Sequence, residues 1–468
     1  MTSPLQRARE LDAQGQHGPA LMAYRLALRQ DPGCRPAKVE LAGLLLVLGR
    51  AAEARDLCLE VLAEGELPAA RLNLAGALHG LDRAPEAEAE YRRLLTAEPV
   101  LARLGLATSL EAQDRLAEAR TLLEQLLERE PGQAQGRELL LRVLLQLKDW
   151  PAVRTLWLAI ADALPPFECT LERAVVHLLF GEFEPGWALM EHRLDRPGFI
   201  EPVRNYTEPR WDGAPFPGRT LLLHWEQGFG DTLMLLRYAP LAKARGGRVL
   251  ALVPEALRTL AATVPGIDGV LGPDDPLPAF DLQLSIFSLP WRFGTRLDTV
   301  PAAIPYLAAP PGPVPGLDPG YRVGLVWAGN RDNRNDSLRS IPLTQLAPLA
   351  GVPVAWHSFQ VGEAGGLPWP GIRDLAPELP DFAATARALE AMDLVITVDT
   401  GVAHLAGALG RPTWLLLPFL PEWRWLLGRE DSPWYPTLRI FRQERASHWP
   451  GVLARVAAAL LERVRGTC

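Results

Sequence analysis

A period of about 33 residues constrains the first part of this chain more than any other feature. Small residues recur at Ala20, Ala54, Ala87, Ala119, Val153 and Gly186, separated by 34, 33, 32, 34 and 33 residues. Five positions before each stands a turn-tolerant Gly15, Gly49, Asp82, Asp114, Lys148 or Gly181, and four positions after it a larger Tyr24, Cys58, Tyr91, Leu123, Trp157 or Met190. In four of the six units a proline follows at the twelfth position: Pro32, Pro99, Pro131 and Pro165. This is the grammar of a helix–turn–helix unit. The small residue lets its two helices approach, the larger one fills the gap, and the proline ends the second helix. Such units cannot bury their faces alone and must stack into a solenoid with a concave surface. An ordinary helical bundle would not hold a fixed period. Arg193 stands where earlier units carry Ala27, Val61, Leu94, Leu126 and Ile160, which suits a capping repeat.

After the repeats the pattern changes. We place the helical domain at residues 1–195 and a connector at 196–218, where Pro202, Pro209, Pro215 and Pro217 surround Trp211-Asp212-Gly213. Residues 219–300 read as a small α/β lobe: a strand from Thr220 to Glu226, a turn from Gln227 to Thr232, a helix from Leu233 to Ala244, and strands at 248–253 and 281–285. Residues 301–320 hold seven prolines, too many for a helix or a central strand, and read as a hinge-like linker. Residues 321–468 resume the βα alternation, with strands expected at 322–327, 354–359, 394–398 and 413–417, an edge strand at 439–441 and a final helix at 450–465. Two doubly wound lobes joined by a linker imply a cleft between them.

Composition narrows the partners. A net charge of -7 over 468 residues offers no general attraction for nucleic acid or an anionic membrane. No run approaches the ~18 apolar residues of a membrane span, and Met1 to Gln16 lacks an apolar signal region. Cys34, Cys58, Cys169 and Cys468 show neither paired nor metal-ligand spacing, so a cytoplasmic, reduced protein without structural zinc is expected.

Three stretches can carry chemistry. Val398-Asp399-Thr400-Gly401-Val402-Ala403-His404 joins a β-branched strand to a helix, so Asp399 falls at a strand's carboxyl end, where the free N–H groups of the next helix invite a phosphate. Taken alone, Asp399 or Thr400 could equally be a helix cap and His404 a packing residue. The second stretch, Gln227-Gly228-Phe229-Gly230-Asp231, lacks the third glycine of a dinucleotide fingerprint because Leu233 stands there, which argues against an NAD(P) enzyme. Asp231 at a helix start would repel a pyrophosphate. In a cleft it can serve instead as general base toward an acceptor hydroxyl, with the glycines letting substrate approach; the alternative is a helix-start charge. In the third, Trp327-Ala328-Gly329-Asn330 opens into Arg331, Asp332, Arg334, Asp336, Arg339 and Ser340. Arg339 is the preferred phosphate partner, with Asn330 and Ser340 as further donors, while Arg331 and Arg334 pair internally with Asp332 and Asp336. Between Phe419 and Pro436, Trp423, Trp425, Trp434 and Tyr435 either stack on a sugar or base or pack their loop onto its own lobe. The histidines form no ligand cluster, and no metal is expected.

Together, Glu226-Gln227-Gly228-Phe229-Gly230-Asp231, Trp327-Ala328-Gly329-Asn330 with Arg339-Ser340, and Val398 to Leu405 resemble bacterial tetratricopeptide-repeat glycosyltransferases, as do the repeats themselves. The family's catalytic part is akin to ADP-heptose heptosyltransferases and, more distantly, to protein O-GlcNAc transferases. The resemblance implies an α-helical solenoid followed by a GT-B pair of Rossmann-like lobes. It further implies an inverting, metal-independent transfer from a nucleotide-sugar donor, with no cofactor. Asp231 matches the heptosyltransferases' glycine-aspartate motif and its proposed base, beside Gln227, Gly228 and Gly230. Asp399, Thr400, Gly401 and His404 match the segment lining the donor's diphosphate and sugar. Arg339 falls near a cationic phosphate contact that is usually a lysine, and helix N-termini, Arg339 and His404 would stabilise the departing phosphate. The histidine base of the O-GlcNAc transferases has no counterpart, His224 lying on a strand. The repeats would recruit a polypeptide acceptor such as a flagellin. The rival reading is a non-catalytic scaffold with a degenerate glycosyltransferase domain.

Overall fold

The computed structural model describes residues 3–195, 206–314, 316–331, 336–362, 366–420 and 422–466. The chain divides into two compact units, residues 1–160 and 161–468. The expected end of the helical domain at 195 is therefore not where the units part: the sixth repeat belongs with the α/β region.

The first unit is built from antiparallel helix pairs: Pro4–Ala13 with His17–Gln30, Arg35–Val47 with Ala51–Ala63, Pro68–Gly80 with Ala84–Arg93, Pro99–Ala112 with Leu116–Arg129, and Ala134–Gln146 with Trp150–Ala161. The repeat grammar is visible in it residue by residue. Ala20, Ala54, Ala87, Ala119 and Val153 are fully buried, as the close approach of two helices requires. Gly15, Gly49, Asp82, Asp114 and Lys148 all sit at φ between 56° and 72°, and Gly181 of the sixth unit repeats this at 76°. Each reverses the chain in a left-handed conformation that only glycine adopts without strain. Tyr91 shows what the larger residue does: a Cβ on Gly105 of the next helix would lie 2.2 Å from its ring. One detail differs from expectation. Pro99 is the first residue of a new helix, where its missing N–H goes unfelt, rather than a simple stop.

The second unit opens with the helices Pro166–Leu179 and Phe183–Met190 and a 3-10 turn, Glu191–Asp195. The start of the expected connector, 196–205, lies outside the described residues. Beyond it Trp211 is buried, its N–H bonded to Gln283 O, and Arg210 bridges to Gln283 in parallel. Four parallel strands follow, β1 Thr220–His224, β2 Arg248–Leu252, β3 Gly269–Leu271 and β4 Leu282–Ser285, in the order β3-β2-β1-β4. The second sheet holds β5 Arg322–Val326, β6 Ala355–Ser358, β7 Arg373–Asp374, β8 Leu394–Val398, β9 Thr413–Leu417 and β10 Leu438–Arg442, in the order β10-β9-β8-β5-β6-β7. Its strands are all parallel, and β8 and β9 are buried throughout, which accounts for their unbroken apolar runs. Both sheets reverse their direction of growth beside their first strand, between β1 and β4 and between β5 and β8, and ligands collect outside the strand ends at such points.

Three expectations need correction here. The helix expected from Leu233 to Ala244 is three pieces, Phe229–Leu235, Leu236–Tyr238 and Ala239–Lys243, because Pro240 cannot continue it. Residues 301–320 do not swing free: Tyr306 N and Leu307 N bond Ala408 O, and Arg387 donates to the carbonyls of Pro310 and Pro313. Arg193 is not the polar mark of a capping face. It is fully buried, its guanidinium bonded to both Glu226 oxygens at 2.7 and 2.9 Å and to Ser288 Oγ at 2.8 Å. A second buried arginine, Arg237, ties three segments together, donating to Met234 O, Trp434 O and Tyr306 Oη while lying over the Tyr306 and Tyr435 rings.

Candidate active site

The loops at the two switch points line one cavity of about 880 Å³. From the first sheet come Gln227, Gly228, Gly230 and Asp231, which follow β1; from the second come Asn330 and Arg339 after β5 and Asp399, Thr400, Gly401 and His404 after β8. Of the residues singled out from the sequence, Ser340 lines instead an adjoining cavity of about 860 Å³, which shares Phe229, Asn330, Phe382, Thr400 and Gly401 with the first.

Asp231 lies in the first turn of Phe229–Leu235, and one carboxylate oxygen accepts from Gly228 N–H at 3.3 Å. To that extent it caps its helix. The other oxygen pairs with Nη2 of Arg424, a side chain 11 % exposed on the 3-10 turn Trp423–Trp425. Arg424 also reaches Glu422 at 3.3 Å and lies over the Trp423 ring. Burial alone would lower its pKa, but Asp231, Glu422 and Asp399 outweigh that and hold it above the usual arginine value. Sequence spacing does not single out Arg424, since 193 positions separate it from Asp231.

Upstream of this turn, Glu226 is buried with both oxygens on Arg193 and one also on Ser285 Oγ. Burial pushes its carboxyl up, and Arg193 and Ser285 more than reverse that, leaving it below the ordinary value. The turn leaves this anchor through Gln227, at φ 65°. Gly230 has a role other than substrate approach: a Cβ there would lie 2.7 Å from His404 Cδ2, so the glycine lets Phe229–Leu235 pack against Gly401–Ala408 across the two sheets.

After β8, Asp399 is 7 % exposed, and burial, with Glu422 adding to it, pushes its carboxyl up to about 6. Thr400 is the N-cap of Gly401–Ala408 without a side-chain cap bond; its hydroxyl meets Thr397 Oγ1 at 3.1 Å. His404 is buried, stacked on Trp425 and bonded through Nδ1 to Tyr435 Oη at 3.0 Å, its Nε2 4.0 Å from Asp399. Burial and then Arg424 and Arg237 drive its pKa far down. That direction favours the uncharged ring, which can still donate one N–H to a phosphate but brings no full charge.

After β5, Arg339 donates to Asp399 O at 2.9 Å and to Asp336 at 3.3 Å. It is first a strut between the two loops and only then a wall of the cavity. Ser340 Oγ accepts from Gly329 N–H and donates to Asp336, and Gln360 holds the Trp327 and Ala328 amides. Asp332 and Arg334 lie outside the described residues. Trp425, Trp434 and Tyr435 are fully buried and Trp423 nearly so, so this loop packs onto the protein rather than offering open faces for a sugar. Among the described residues no group of three or more His, Cys, Asp or Glu side chains is placed to hold a metal ion, and no helix is long and apolar enough to cross a membrane.

Helical repeats followed along the chain by parallel sheets whose strand ends share a cavity make this a repeat protein with a nucleotide-fold region. Comparison with known proteins agrees. Residues 5–68 and 104–168 match the tetratricopeptide repeat family, and residues 364–416, which include Asp399 to His404, match glycosyltransferase family 9 (heptosyltransferase). The chain is 27 % identical to Protein FlbA of Caulobacter vibrioides over 62 % of its own length, and spans about half, 54 %, of that protein. Among solved structures it is similar to TTC0263, a thermophilic tetratricopeptide-repeat protein of Thermus thermophilus, at 19 % identity and a TM-score of 0.33, covering 37 % of this chain and 97 % of that one. A repeat protein of Parabacteroides merdae gives 14 % and 0.32, covering 41 % and 77 %. The chain thus resembles tetratricopeptide-repeat proteins in its helical part and family 9 glycosyltransferases over residues 364–416.

Proposed function

We propose that this protein is an inverting, metal-independent glycosyltransferase of the GT-B arrangement, moving a sugar from a nucleotide-sugar donor to a hydroxyl of a protein acceptor recruited by the repeats. The observation that carries this reading is the shared cavity, in which a carboxylate from one sheet, Asp231, faces the Asp399–His404 turn of the other. The donor's phosphates would lie at the N-terminus of Gly401–Ala408, where Thr400 makes no side-chain cap bond, and its nucleoside would extend into the adjoining cavity beside Asn330 and Phe382. Asp231 would take the acceptor proton as the hydroxyl oxygen attacks the anomeric carbon from the side opposite the leaving phosphate. A polypeptide acceptor is favoured because the sixth repeat walls this same cavity with Leu171, Val175 and Met190.

The test is a panel of nucleotide sugars offered with candidate protein acceptors, flagellins among them, and read by intact-mass spectrometry. A mass increase of one glycosyl unit is expected from the wild type and none from Asp231→Asn. Retained turnover by that variant removes Asp231 from the base role. Failure to bind or hydrolyse any donor favours the scaffold reading.

A further inference from the structure

We propose that Arg424 is the ligand for the donor phosphate that carries the sugar, and that by leaving Asp231 to bind it Arg424 frees the base, so that the donor must bind before the acceptor can react. This rests on the glycosyltransferase reading and extends it to a residue outside the stretches that resemble known enzymes.

The geometry is specific. Without substrate, both Asp231 oxygens are already engaged, one by Gly228 N–H and the other by Arg424. Arg424 is itself buried at the cavity wall, held in place by Glu422 and the Trp423 ring, with its planar fork in the same cavity as Asn330, Thr400 and Gly401. A guanidinium suits two-pronged binding of a phosphate as well as of a carboxylate. The other charged groups facing it are Asp399 and Arg339, while His404 is neutral. Arg339 bridges Asp336 and the Asp399 carbonyl, whereas Arg424, among the described residues lining this cavity, is the cation paired with the proposed base, so a phosphate that takes it over releases Asp231. The step then balances. The acceptor O–H gives its proton to Asp231 as its oxygen bonds the anomeric carbon, the bond from that carbon to the phosphate oxygen breaks, and its electron pair leaves on the phosphate, which Arg424 retains.

Calorimetry on the full chain with UDP, GDP, ADP, CDP and CMP first identifies the tightest nucleotide. Arg424→Gln should weaken it about 10- to 100-fold, the span expected for a hydrogen-bonded charged contact. Arg424→Lys keeps the charge without the fork and should lose less. Asp231→Asn should tighten binding several-fold, because the phosphate no longer competes with a carboxylate, and this gain should vanish in the Asp231→Asn, Arg424→Gln double variant. Simple repulsion between Asp231 and phosphate would give the same gain in both backgrounds and would overturn the proposal. So would wild-type affinity in both Arg424 variants. If the wild type binds no nucleotide at all, the glycosyltransferase reading falls and this inference with it.

Discussion

Replacing Arg193 by alanine should destabilise the second unit by about 3–5 kcal/mol, because it strands a buried carboxylate. The side chain is fully buried and makes five hydrogen bonds: two to Glu226, and one each to Ser288 Oγ, Met190 O and Glu191 Oε1, at 2.7 to 3.0 Å. Without it Glu226, 1 % exposed, keeps the Ser285 hydroxyl but no cation at its carboxylate. The pH dependence identifies the cause. In the wild type the Glu226 pKa is held below its ordinary 4.5, so its contribution is present above that value and lost as pH falls through the folded pKa. In the variant burial, the largest influence, is opposed only by neutral hydrogen bonds such as that from Ser285 and raises the folded pKa, so the variant loses stability as pH rises through the raised value. The gap between the two proteins should be widest at pH 8 and close toward pH 4. Urea unfolding followed by tryptophan fluorescence reads the right region, since of 14 tryptophans all but Trp150 and Trp157 lie in residues 161–468. Arg193→Met with Glu226→Leu, which removes both charges, should recover at least half the loss. A loss under about 1 kcal/mol, or one independent of pH, refutes the claim that this pair anchors the turn carrying Asp231.

Two further outcomes follow from the same region. Gly230→Ala places a methyl 2.7 Å from a His404 ring that Trp425 and Tyr435 hold in place, so overpacking should lower stability by about 1–3 kcal/mol in the same urea assay; an unchanged midpoint would show that the two helices separate freely. Asp399, pushed up to about 6 from 3.8, binds more protons folded than unfolded between those values, so it lowers stability as pH rises through that window. Asp399→Asn should therefore be more stable than wild type by up to about 3 kcal/mol at pH 8 and equal to it near pH 4, and a difference constant with pH counts against this.

The repeats were legible because stacking demands the same local geometry in every unit. A left-handed turn, a small contact residue and a large one four positions on leave a trace at fixed spacing, and Asp82, Asp114 and Lys148 keep that turn even where glycine is absent. The parallel strands were legible for a related reason, since burial on both faces makes β8 and β9 continuous apolar runs. Arg193 is ambiguous in the sequence because a polar residue at a normally apolar repeat position has two physical meanings. It can face water, or it can pair with a charge from a segment far along the chain, and only the position of Glu226 decides which. Residues 161–195 keep the repeat pattern yet pack with the sheets for the same reason: period records how a helix pair is built, not which neighbour it finally contacts.

The site divides along the same line. Asp231, Asp399, Thr400, Gly401 and His404 sit in short strand-to-helix turns, where local sequence fixes both the turn and its place at the end of a strand, so their convergence follows once the sheets exist. Arg424 belongs to an irregular aromatic stretch whose path is set by packing, with Trp423 against Trp187 and Trp425 against His404, and no local pattern announces that it returns to the β1 turn. The same distinction separates the two arginines that can reach a phosphate. Arg339 stands in the loop after a strand, yet its bonds make it a strut; Arg424 follows nothing regular, yet it faces the proposed base. A cation that must exchange a carboxylate for a substrate phosphate is better placed on such a loop than at Arg339, because its other bonds do not join two strand-end loops.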